Sequence, residues 1–149
     1  MTKTEIEQYL YKHIPITKAL GVKAVAFSQG EVKFEAPLSK NINHRSTAFG
    51  GSISSLLITT CWSYLRLLLD EIQPIPRIVI GRSETKYLKP VFSDFTAKLM
   101  MPAQQDVALF METFQRFGKA RIELSATIEQ EGDLAAKFQG NFVAIKQKS

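Results

Sequence analysis

Apolar and polar positions divide this 149-residue chain into one long helical stretch and several alternating ones. From Ser52 to Leu69 the only charge is Arg66. Ile53, Leu56, Leu57, Ile58, Trp62, Tyr64, Leu65 and Leu67 to Leu69 cover every side of a helix there. A helix apolar all round is buried in a core or in a membrane. Ser54, Ser55, Thr59, Thr60, Ser63 and Arg66 argue against a span, which needs roughly 20 mainly apolar residues. The pattern predicts a buried helix from Gly51 to Glu71, about 30 Å long at 1.5 Å per residue. Asp70, Glu71, Pro74 and Pro76 end it.

Around it the period falls to two. Gly21 introduces a strand over Val22 to Ser28, and Gln29-Gly30 turns it into a second. There Val32, Phe34 and Ala36 alternate with Glu31, Lys33 and Glu35. Arg77 to Lys89 predicts another strand, closed by Pro90, and Phe95 to Met101 a shorter one. Ile122, Leu124, Ala126 and Ile128 alternate with polar neighbours. The turn Glu131-Gly132-Asp133 leads into Leu134 to Ile145, where Gly140 marks a bulge or a close approach. Two flanking helices complete the set. Thr4 and Glu7 have capping-box spacing for a helix over Glu5 to His13. Val107, Phe110, Met111, Phe114 and Phe117 fall at helical spacing, with Gly118 as the stop. That stripe reads as core or dimer packing ahead of a cofactor site. Six strands with hairpin turns and one long helix predict an α+β domain over residues 1–149. Its antiparallel sheet would wrap around the helix.

Composition narrows the class. The formal charge is +5, from 19 Lys and Arg against 14 Asp and Glu. The surplus is spread along the chain, which argues against a nucleic-acid partner. The polar N-terminus has no apolar leader run. The single cysteine, Cys61, excludes an internal disulfide and offers no metal cluster. These features predict a reducing, cytoplasmic setting, with no metal and no membrane partner. No phosphate-binding glycine motif is present and no cofactor is expected.

The loop that enters the long helix carries the chemistry. Asn43 to Gly51 reads Asn-His-Arg-Ser-Thr-Ala-Phe-Gly-Gly. Twin glycines admit a close approach of backbone or ligand, and a helix start presents unpaired N–H groups and positive potential. The same glycines also suit a plain tight turn.

The element order resembles the hot-dog fold, in which a sheet wraps around a central helix. Many hot-dog thioesterases carry Asn-x-x-Gly-x-x-His-Gly-Gly at this helix entrance. Here Asn43, Gly50 and Gly51 match, Ser46 replaces the first glycine and Phe49 replaces the histidine. His44 is out of register. The acidic residue expected nine places after the histidine is Ile58. Asn41, Asn43, Thr47, Phe49, Gly50, Gly51 and Ser52 resemble more closely the thioesterase-like domains found alone or fused behind a bacterial acetyltransferase. Tyr87-Leu88-Lys89-Pro90 is similar to the end of that group's strand.

The resemblance implies an acyl-thioester hydrolase acting on coenzyme A or acyl-carrier-protein thioesters, working as a homodimer. The N–H of Gly51 or Ser52 would polarise the thioester carbonyl. Asn43 would position water, or serve as an ordinary turn residue. Glu84, brought by a neighbouring subunit, would be the base, or a solvated strand residue. The ligand would lie between Asn43 and Ser55, touching Thr47, Phe49, Gly50, Ser52 and Ser55, with the site completed by the strand Gly81 to Lys89 of a partner subunit, Tyr87 included. Arg82, Lys86 and Lys89 would meet its phosphates, or form a solvated basic edge. The alternative is a non-catalytic acyl-CoA or lipid-like ligand binder that kept the fold without the carboxylate.

Overall fold

The computed structural model describes residues 1–148. The first helix, α1 (Lys3–His13), starts two residues earlier than the capping-box reading. Thr2 is the cap, its hydroxyl accepting from Glu5 N at 3.1 Å, because Thr4 already lies within the first turn. Glu7 reaches across instead, and its carboxylate accepts from Ala24 N at 2.9 Å. A short helix follows, α2 (Ile16–Leu20), which hydrophobic spacing did not predict. Gly21, in the left-handed region at φ 73°, stops it.

The strands are β1 (Lys23–Ser28), β2 (Glu31–Ala36), β3 (Arg77–Tyr87), β4 (Phe95–Met100), β5 (Lys119–Gln130) and β6 (Asp133–Ile145). All pairs are antiparallel, in the order β1-β2-β4-β5-β6-β3. The long helix α3 (Gly50–Leu68) contacts all six strands, β1 least, and the sheet wraps it. It ends before Glu71 because the chain leaves the helix at Leu69, whose N–H still bonds Leu65 O.

The inner faces of the strands and α3 form one core. Phe34, Leu56, Leu57, Phe138 and Phe142 are all fully buried or nearly so. The fourth helix, α4 (Gln104–Phe117), seats Phe110 and Phe114 in the same core and stops at Gly118, φ 71°. Phe117, the last residue of the predicted stripe, stays exposed.

Two strand glycines have different tasks. Gly81 is the extra residue at a register shift in β3, between the Ile80–Phe142 and Arg82–Asn141 pairs. Gly140 is a close approach: a Cβ there would lie 3.0 Å from the Arg82 carbonyl oxygen and 2.6 Å from Phe138 Cζ.

Candidate active site

The loop before α3 is built by Asn43. Its side-chain oxygen accepts from Arg45 N at 2.8 Å and Thr47 N at 3.1 Å. Its amide donates to Thr47 Oγ1 at 2.8 Å and Ala48 O at 3.4 Å. The Asn43 N–H also bonds Thr47 O at 2.8 Å. These bonds close the turn that puts Ser46 at φ 63°. A left-handed residue is cheapest as glycine, which is the physical reason that glycine stands at this place in the related pattern.

Asn41 anchors the loop from below. Buried, it donates to Leu20 O at 2.9 Å and Pro37 O at 2.7 Å. Its carbonyl accepts from Phe49 N at 2.7 Å, while Ala48 N bonds Val91 O at 2.7 Å. Both residues that precede the helix are thereby fixed.

At the helix start Phe49 is the cap, with no side-chain bond to the first turn and no acidic residue in that turn. Ser52 N and Ile53 N both turn back to Phe49 O, at 2.9 and 3.1 Å. Of the two N–H groups expected to polarise a carbonyl, Ser52 is therefore committed within the protein. Gly50 N and Gly51 N have no partner among the described residues. They carry the uncompensated positive end of a 19-residue helix dipole.

Two aromatic rings flank those groups. The Phe49 ring lies over Gly51, so close that a Cβ on Gly51 would sit 2.6 Å from Phe49 Cε2. Tyr87 packs on Gly50, its Cε1 3.5 Å from where a Cβ would be. Beside them opens a pocket of about 380 Å³, lined in part by Thr47, Gly50, Ile53, Tyr87, Lys89 and Val91. Val91, just past the predicted Gly81 to Lys89 strand, was not foreseen as a lining residue. Its signal was proximity to the Tyr-Leu-Lys-Pro strand end. Strand β3 thus returns to the helix entrance within its own chain.

The rest of that strand faces elsewhere. Ser83, Thr85 and Tyr87 pair with Gly140, Phe138 and Ala136, all inner-face positions. Arg82, Glu84 and Lys86 alternate with them, on the sheet face turned from α3. Glu84 lies 3.8 Å from Lys86 and both line an outer pocket with Thr127 and Gln139. The structure separates these three from the loop. Edge-to-edge pairing with another β3 would continue the same face. Lys89 is near the pocket, but its ammonium donates to Asp133 Oδ2 at 2.5 Å. That bond and charge hold the Asp133 carboxyl below the usual carboxylate range.

Within the helix, Ser55 is half-buried and its carbonyl accepts from Thr59 Oγ1 at 2.7 Å. Ile58 occupies the place of the missing acid. Cys61 is fully buried, and burial pushes its thiol pKa up, away from the reactive thiolate. Among the described residues, no group of three or more His, Cys, Asp or Glu side chains is placed to hold a metal. No helix among them is long and apolar enough to cross a membrane.

A six-stranded antiparallel sheet wrapped on a central helix, with the loop site at the helix entrance, defines the hot-dog class. The chain belongs to the family described as "Putative thioesterase (yiiD_Cterm)", which it matches over residues 3–146. A protein of unknown function from Chlorobaculum tepidum has 30% identity over 97% of this chain and 94% of its own, with a TM-score of 0.88. A putative thioesterase from Shewanella oneidensis has 29% identity over 96% of each chain, with a TM-score of 0.84. A thioesterase from Haemophilus influenzae shares the fold at 15% identity and a TM-score of 0.73, over 98% of this chain and 92% of its own.

Proposed function

We propose that this protein hydrolyses acyl thioesters of coenzyme A or an acyl-carrier protein, as a homodimer in a reducing cytoplasm. The observation that carries the reading is the free pair of N–H groups at Gly50 and Gly51, beside the Tyr87 pocket. Donors fixed in advance stabilise the oxyanion that forms when water attacks the thioester carbonyl, and they need no reorganisation at that moment. Gly51 is assigned to this polarising role, with Gly50 beside it. Thr47, Phe49 and Tyr87 would border the reacting group. Ser52 and Ser55 would line its path along the helix.

Asn43 is assigned as a positioning residue. All of its polar side-chain atoms are engaged in the turn that aims the glycines. Glu84 keeps a base role only if a partner's strand is rearranged relative to β3 here, because it stands on the outer face. The same holds for phosphate contacts from Arg82 and Lys86. Lys89 would have to leave Asp133 to bind a phosphate.

The unpaired edge of β3 supports the dimer. Its 11 residues pair with β6 on one side only, and a free edge of that length is a template for a second copy. The second reading, a non-catalytic acyl-CoA binder, is favoured by one observation: Ile58 stands where related enzymes carry an acid. A panel of acyl-CoA thioesters separates the two readings. Turnover above the buffer rate supports the hydrolase. Saturable binding without turnover supports the binder.

A further inference from the structure

The register of the sheet gathers lysines that lie far apart in the chain. Lys33 pairs with Lys98, Lys98 with Thr127, Thr127 with Lys137, and Lys137 with Lys86. These five residues form one row across β2, β4, β5, β6 and β3, which are consecutive in the sheet. Lys33, Lys98, Thr127 and Lys137 each stand between two buried core residues, so the row lies on the face turned from α3. Lys86 takes that face through its pairing with Lys137. At about 4.8 Å per strand the row is about 19 Å long.

Folding alone gives no reason for such a row. Like charges directly opposite each other destabilise a sheet, and the row holds two such pairs, Lys33 with Lys98 and Lys86 with Lys137. A lysine on an edge strand keeps other chains from adding to it. That reason does not reach Lys98 on β4 or Lys137 on β6, which are interior strands. The ends of the row are neutralised locally: Lys33 lies 3.0 Å from Glu31 and Lys86 3.8 Å from Glu84. Lys98 and Lys137 are exposed, and neither has an ion-pair partner among the described residues.

The row also lines two cavities on that face. One, of about 270 Å³, is bordered by Lys33, Lys98 and Thr127. The other, of about 400 Å³, is bordered by Thr127, Lys137 and Lys86. They adjoin at Thr127. Four lysines and two carboxylates, Glu84 and Glu129, line them, a surplus of two positive charges. Among the described residues no exposed aromatic side chain lines either cavity, which leaves no platform for a stacked base.

We propose that this row binds a linear chain of phosphoryl groups, with Lys98 and Lys137 as its clamps and the Thr127 hydroxyl donating between them. Ammonium donors make strong charge-assisted bonds to phosphate oxygens, and negative charges in a line match cations spaced by the strands. A bound chain relieves the repulsion within the row, so it stabilises the folded protein. The row lies across the sheet from the Gly50 and Gly51 N–H groups and does not depend on the thioesterase reading. Inorganic polyphosphate and the phosphate chain of a nucleotide share this chemistry.

Calorimetric titration at physiological ionic strength with orthophosphate, pyrophosphate, tripolyphosphate and ATP tests the site. Affinity is expected to rise from orthophosphate to tripolyphosphate. ATP that matches tripolyphosphate shows that the phosphate chain alone is bound, and ATP that binds more tightly assigns the site to nucleotides. Lys98→Glu and Lys137→Glu are each expected to weaken tripolyphosphate by about tenfold or more, the scale of one hydrogen bond to a charged group. Lys3→Glu, on α1, makes the same change in net charge and is expected to alter the affinity little. Melting curves without ligand check folding, and Lys98→Gln replaces the reversal if that variant fails to fold. Tripolyphosphate is expected to raise the melting temperature of the parent and of Lys3→Glu, and not of the row variants. Equal weakening in all three reversals reveals only general attraction to a basic protein and overturns the site. So does an affinity for tripolyphosphate no greater than for orthophosphate, or no binding at all.

Discussion

The Tyr87 hydroxyl donates to the Gly50 carbonyl at 3.0 Å, which ties the last residue of β3 to the first residue of α3. The two residues are 37 positions apart in sequence. Their contact makes one wall of the pocket beside the free helix N–H groups. A Cβ at position 50 would meet the ring at ordinary contact distance, so packing does not demand glycine there. Gly51, under Phe49, is more tightly constrained.

Gly51→Val is expected to abolish most thioester turnover while leaving the fold intact. The new side chain must displace the Phe49 ring, which is 57% exposed and can yield. It also shields the Gly51 N–H. Loss of one such donor typically costs about a hundredfold to a thousandfold in rate. Steady-state hydrolysis beside a melting curve checks it. A variant as active as the parent would remove Gly51 from the polarising role.

Asn43→Ala is expected to lower stability as well as activity. The substitution deletes four side-chain hydrogen bonds that close the turn. Each contributes about 1 kcal/mol net, and partial exposure lets water replace some of them. A loss of about 1–3 kcal/mol in urea unfolding follows. An unchanged midpoint with reduced turnover would instead point to direct contact between Asn43 and the reacting water.

Ser46→Gly is expected to stabilise the protein by roughly 0.5–1 kcal/mol. A non-glycine residue in the left-handed region carries a cost of about 1–2 kcal/mol, offset in part by the greater freedom of glycine in the unfolded chain. Ser46→Val, branched at Cβ, should destabilise. The ordering Gly above Ser above Val in denaturant midpoint is the readout, and a reversed order would show that the φ of 63° is not maintained in solution.

Gly140→Ala should be far more damaging than its size suggests. The added methyl would meet both the buried Phe138 ring and the Arg82 carbonyl, and the backbone oxygen cannot rotate away. Overpacking of this kind costs about 1–3 kcal/mol. Urea unfolding of Gly140→Ala beside Gly132→Ala offers a contrast. Gly132 at φ 81° has open space around it, so its cost is conformational and not steric.

Much of the architecture was legible in the chain. The alternation of Val32, Phe34 and Ala36 with charged neighbours placed β2 over Glu31–Ala36. The twin glycines and the apolar run placed α3 to within one residue at its start. Residue chemistry sets those features locally: side-chain period decides helix or strand, and Gly118 stops α4 where only a residue tolerant of positive φ fits. Short elements such as α2 escaped, because five residues hold too few turns to show a period.

The site divides the same way. Its loop, from Asn43 to Gly51, was visible because glycines and asparagines encode turn geometry in sequence. Which face of β3 meets the helix was not. Ile78 and Ile80 are inner positions, and an unbroken alternation would have put Arg82, Glu84 and Lys86 inward with them. The extra residue at Gly81 shifts the phase by one, so Ser83, Thr85 and Tyr87 turn toward α3 and the charged set turns away. Sequence alone determined that a strand rich in charge follows the central helix. Only the tertiary structure, through one bulge in the pairing with β6, decided that the Tyr87 side chain, and not that of Glu84, reaches the helix entrance.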